Sequence, residues 1–499
     1  MPRWPSSIRP DGLLDRVFGA DVRALAIFRV ALGVVVLGDL ASRAADLTAH
    51  YTDAGVWPRD AVIAGYVQGH YSPAFLGGST GWATFVFVLA AASAIALIAG
   101  FRTRIVTVTT WILMVSIQTR NIGITQSVDT LIDALLLWGA FAPLGARWSV
   151  DARRSDPGPT RVLSVGTAAL VIQPVVLYLF AGIHKLSRAQ WLHDGTAIHF
   201  AVTDLHYARP FASFVTHFPQ LASLMTLSVV IVEIGGALLL VSPVKTQACR
   251  AIGLLSFLAL QLGIGTSLSL GPFPFASTTA ILPLLPAALL ALFSAEKPGP
   301  IAVSSHLAGV PLVGLILIMI ALNVRAVAPS IDLLPAPVTR IGQALRLDQW
   351  WGVYLFRSRD EAFEHGWVII PGHHPDGTMV DLWTNKPLSY ARPDSGPMHY
   401  RNIRWSRYFT NLRRHPDYAD LSRAISVQHR ADRPGPGHLH ARESDARAEA
   451  HSGRARDAVR ARVCRTVTEG HFRAAFSSAS TARSIGGSAA ISSARARAR

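Results

Sequence analysis

The stretch "VLSVGTAALVIQPVVLYLFAGIHKLSRAQWLHDG", Val162 to Gly195, decides the fold class. Its first part is almost wholly apolar and continues for more than 20 residues, the length a helix needs to cross a hydrocarbon core. His184 and Lys185 then arrive together, and Trp191 precedes a polar turn. Lys185 has two readings. A lysine at a helix end can bury its stem and reach lipid headgroups. A lysine held away from water is instead available as a base or nucleophile near neutral pH. His184 sits beside it, but consecutive helical residues point about 100° apart, so the two need not share a face.

Eight more stretches carry the same signal. Together the nine predicted spans run at about 23–42, 82–101, 103–119, 129–146, 162–184, 222–243, 250–268, 276–295 and 307–328. Half of the 499 residues are hydrophobic and only 16% are charged, against about 25% in a soluble domain. The predicted class is a mainly α polytopic transmembrane bundle. Residues 1–22 are polar and basic and read as a cytoplasmic segment ahead of an uncleaved first span. With the N-terminus inside, the inner segments hold 13 Lys and Arg and the outer loops 6, the bias expected of cytoplasmic loops. This is a multi-pass plasma-membrane topology, and an odd number of spans leaves everything after about residue 330 outside.

Composition changes after Pro335. Within 336–425, "HGWVIIPGHHPDGTMVDLWTN" predicts two short strands, near Gly366–Pro371 and Thr378–Trp383, around a turn. "YRNIRWSRYFTNLRR" predicts an aromatic-basic helix. A small β-containing extramembrane domain is therefore expected there. Residues 430–499 are rich in Arg, Ala, Ser and Gly and lack apolar periodicity, so disorder is expected. Residues 415–499 hold 15 Arg against 8 Asp and Glu, which is +7 of the net +16. The positive charge is thus concentrated in this tail and gives no reason to expect a nucleic-acid partner; the expected partner is membrane lipid.

Ionisable residues inside spans are costly and usually face a bundle interior or wet cavity. Arg29 and Asp39 lie in the first span, ten residues or roughly 15 Å apart, too far to pair on one straight helix; each is expected to find a partner on another helix, or Asp39 to sit at the outer interface. Asp129 and Asp133 open the fourth. Glu233 sits mid-span in "SVVIVEIGGALLL", followed by two glycines that permit close helix approach. It reads either as a structural, hydrogen-bonded group or as an ion partner. Arg29, Asp129, His184 and Glu233 are candidate companions of Lys185. Cys249 and Cys464 form no metal or disulfide framework, and the histidine-bearing stretches lack diagnostic metal spacing. Phosphate-loop and H-E-x-x-H motifs are absent, as are the matched broken helices of a transporter.

Three stretches together resemble the horizontally transferred transmembrane domain family, bacterial relatives of vitamin K-dependent γ-carboxylase. They are "FRVALGVVVLGDLASRAADLTAHYTDAGVWPR" (Phe28–Arg59), "LLLWGAFAPLGARWSVDA" (Leu135–Ala152) and "YLFAGIHKLSRAQWLHDGTAI" (Tyr178–Ile198). "LDQWWGVYLF" and "RNIRWSRYFTNL" extend the likeness towards residue 425. The resemblance implies that Lys185 matches the carboxylase base, which starts oxygenation of a reduced quinone, vitamin K, before a glutamyl γ-proton is removed and carbon dioxide adds. The family's second catalytic histidine has no counterpart in "NIGITQSVDTLID" (Asn121–Asp133). The implied substrate is a quinone or a secreted peptide; the alternative is a noncatalytic partner in maturation or export of such a peptide.

Overall fold

The computed structural model describes residues 8–9, 12–65, 72–154, 158–204, 206–292, 301–303, 309–355, 367–373, 378–393 and 395–414. The tail from 430 lies outside these, as does Gly366.

The chain is mainly helical, and six helices are long and apolar enough to cross a membrane by length and composition. They are α1 (Val22–Ala44), α2 (Thr80–Ala99), α5 (Val165–Leu186), α6 (Pro219–Leu240), α7 (Thr246–Ser267) and α9 (Gly309–Val327). Three other predicted spans form helices that are shorter or more polar. These are α3 (Thr103–Arg120), α4 (Ser127–Gly139) and α8 (Phe273–Ile281). In α3, Thr107, Thr110 and Thr119 turn their hydroxyls back onto carbonyls one turn earlier. Pro283 and Pro286 follow α8 directly, and proline interrupts helical bonding, so the helix gives way to a 3-10 turn at Leu282–Leu284.

Local chemistry fixes the ends. The Ser79 side chain caps α2 by accepting from the Trp82 amide, and Gly100 closes it in the left-handed region at φ 69°. The Ser164 hydroxyl caps α5 through the Thr167 amide. α1 and α5 are central, with 61% and 72% of their apolar windows buried, whereas α7 is only 28% buried. Leu255, Leu258 and Leu262 of α7 point outward. An apolar exterior of this kind is solvated by lipid and is consistent with an integral membrane protein.

At one end of the bundle, four short strands form a sheet of order β1-β4-β3-β2. The strands are β1 (Ile8–Arg9), β2 (Ala20–Asp21), β3 (Arg161–Leu163) and β4 (Ile301–Val303), with β3 and β4 parallel. At the other end, α10 (Ala336–Ala344), the segment Leu347–Leu355 and α11 (Ile403–Arg414) belong to the same compact unit as the helices.

Val368–Arg392 belongs to a separate compact unit. It holds an antiparallel sheet of β5 (Pro371–His373), β6 (Met379–Asp381) and β7 (Lys386–Pro387). Asp381 organises it: its carboxylate accepts from the Ile370 and Trp383 amides and the Thr384 hydroxyl. The first strand lies later than the predicted Gly366–Pro371, the second falls within the predicted Thr378–Trp383, and β7 is a strand the sequence reading did not include.

Candidate functional site

Lys185 occupies the last turn of α5 and is 3% exposed. Its Nζ donates to both carboxylate oxygens of Glu233 on α6, at 2.8 and 2.7 Å, and lies 3.4 Å from the Ala181 carbonyl. The Trp191 ring centroid is 4.9 Å from Nζ, within range for a cation–π contact. Trp191 is held in turn by its indole N–H, which donates to the Tyr354 carbonyl at 3.1 Å. The lysine therefore faces a neighbouring helix and is almost wholly buried.

Two features bring these helices together. Gly182 stands where α5 meets α6, and a Cβ there would come within 2.5 Å of Ile234 Cγ1. α6 widens into a π turn at Val232–Gly236, centred on Glu233 and its neighbours. Such turns are rare and frequently mark functional positions. Below the pair, Tyr178 stacks on Phe257 at 3.7 Å and accepts a hydrogen bond from Gln261.

The other predicted companions lie elsewhere. His184 turns away and packs at 4.6 Å against the Trp350 ring. Arg29 donates to the Leu144 and Trp148 carbonyls and so staples the turn after α4. Asp129 joins a second buried cluster. There Arg43 bonds Asp39 at 2.7 Å, Asp129 at 2.6 Å and the Tyr51 hydroxyl at 2.9 Å. Arg404 of α11 completes the cluster, reaching Asp39, both oxygens of Asp129 and the Ile124 carbonyl. Asp39 thus pairs within its own helix, one turn on, and across the chain.

His50 borders this cluster, with its ring 4.3 Å from Trp405. Burial, reinforced by the Arg404 and Arg43 cations, pushes the imidazole down to about 3, so it stays neutral near pH 7. Arg43 and Tyr51 were within the quoted first motif, and the i,i+4 spacing of Asp39 and Arg43 was the signal for their pairing. Nothing local marks Arg404 as their partner. Among the described residues, no group of three or more His, Cys, Asp and Glu is arranged to hold a metal ion.

Comparison with protein-family models, curated proteins and solved structures gives no match.

Proposed function

We propose that this chain is a nine-span plasma-membrane protein of the γ-carboxylase-like kind, and that it acts on a lipid-soluble quinol at Lys185. The single observation that carries the reading is the buried Lys185–Glu233 contact beneath Trp191. The contact holds the amine 2.7 Å from the carboxylate and almost wholly out of solvent. Under this proposal Lys185 is the group that takes the proton of a quinol hydroxyl. The absent second histidine limits the proposal to quinol deprotonation and oxygenation, short of carboxylation.

The topology has its own support. β1, β3 and β4 come from the N-terminal segment and two loops that the charge bias puts inside, and they share one sheet. Reporters fused after residue 300 and after residue 345 are expected to register opposite compartments. The same compartment for both removes the ninth crossing.

A second reading has an observation in its favour. Glu233 engages Lys185 with both oxygens, which suits a purely structural pair in a noncatalytic partner of a secreted peptide. Oxygen uptake separates the two. Protein in lipid nanodiscs, given a reduced naphthoquinone, is expected to consume oxygen above the quinol-only background, and Lys185→Met to return it to background. No uptake by the unaltered protein leaves the noncatalytic reading.

A further inference from the structure

The predicted spans at 162–184 and 222–243 leave a loop between them, yet part of that loop has an outward aromatic face. The short helix Ala212–Thr216 leads into α6. Around it, Phe211, Phe214 and Phe218 are 53%, 53% and 47% exposed. Their rings form a ladder, with successive centroids 5.9 and 5.1 Å apart. The opposite side of the segment is already used: Ala212 and Val215 are buried against Val202 and Ala222. The phenylalanines cannot turn inward without giving up that packing.

What covers this face follows from its surroundings. The apolar row continues along α6, a helix long and apolar enough to cross a membrane. There Leu221, Leu224, Leu227 and Ile231 are 38%, 65%, 47% and 61% exposed. The segment is pegged at the level where a second such helix stops, because the Arg209 amide donates to the carbonyl of Ser267, the last residue of α7. Arg209 is exposed beside the ladder, and an arginine near a helix end reaches the headgroup interface. An aqueous loop would leave three half-exposed phenyl rings in water, at a cost proportional to their apolar area. Lipid removes that cost.

We infer that Pro210–Phe218 is an interfacial element, its phenylalanine face seated among the acyl chains of the leaflet in which α6 begins and α7 ends. Ile198 packs both against the Val202–Ala212–Val215 cluster and against the cluster that holds Trp191. The Trp191 cover over Lys185 is thereby tied to the bilayer interface. The inference needs α6 to span the membrane; it rests neither on the direction of that crossing nor on quinol activity.

The test uses the full chain in phosphatidylcholine liposomes, with a nitroxide at Phe214→Cys in a Cys249→Ser, Cys464→Ser background. The same label at Leu224→Cys is the comparison. Oxygen, which partitions into lipid, and a nickel chelate, which stays in water, compete to relax the label. At 214 oxygen is expected to dominate and to place the label about 5–10 Å beneath the headgroup boundary, the depth of an interfacial helix, with 224 deeper. Relaxation at 214 dominated by the chelate overturns the inference. If 224 is dominated by the chelate too, the span of α6 falls with it, which separates the two failures. Dipolar broadening between 214 labels that persists in a large excess of lipid places a second copy on the face and also overturns the inference. The unsubstituted protein gives an independent check. Phosphatidylcholine carrying a diazirine near the carbonyl end of its acyl chain is expected to photolabel residues 211–218. Labelling of α6 with none at 211–218 overturns the inference.

Discussion

Lys185→Ala is expected to destabilise the folded protein by about 3–5 kcal/mol, because it leaves the Glu233 carboxylate buried without its partner. The carboxylate has both oxygens committed to Nζ, so no other donor is in place to take over. The double replacement Lys185→Met, Glu233→Leu is expected to restore stability to the original level or exceed it by about 1–4 kcal/mol, since matched apolar side chains avoid the desolvation of two ions. Reversible unfolding in mixed micelles with increasing dodecyl sulfate measures both. A double variant as unstable as the single one would show that the pair supports the fold through something other than charge. The double variant also divides the functional readings: it keeps the fold while removing the proposed base, so loss of oxygen uptake in it cannot be blamed on unfolding.

The second large effect is expected at Arg43. Arg43→Met removes the cation that sits in α1 and cannot leave the bundle, and it strips a bond from each of Asp39, Asp129 and Tyr51. A loss of about 3–5 kcal/mol in global stability is expected for breaking a buried network on one side. Arg404→Ala should behave differently. It deletes the contact that α11 makes with the two carboxylates, while Arg43 stays in place beside them. Its effect on global unfolding is expected to be smaller than that of Arg43→Met, with residues 403–414 becoming open to proteolysis. The reverse ranking would make α11 an integral part of the core. Unfolding curves alongside limited proteolysis of the two variants decide between these outcomes.

Much of the architecture was legible one residue at a time. Hydropathy is a local property, so runs such as Val165–Leu186 and Gly309–Val327 announce apolar helices without any knowledge of their neighbours. The aromatic-basic pattern of Ile403–Arg414 likewise predicted its helix. The eighth predicted span was harder to read, because its apolar run continues through Pro283 and Pro286 while its helix does not. For the site, the cost of burying charge singled out Lys185, Glu233, Arg29, Asp39 and Asp129 as residues needing partners.

The sequence alone determined that these groups would be costly to bury unpaired; only the tertiary structure decided that they are buried, and with whom they pair. Lys185 meets Glu233 across 48 positions because Gly182 lets α5 and α6 touch and a π turn sets the Glu233 side chain facing the lysine. Arg29 and Asp129 share the same intrinsic demand, yet the rotations and depths of α1 and α4 send them to opposite companions: backbone carbonyls for one and guanidinium groups for the other. Arg404 reaches Asp39 from 365 residues away. A charge's need for a partner follows from its own desolvation, which composition reveals. The partner's identity depends on where distant helices cross and how each is rotated, and those quantities exist only once the chain is packed.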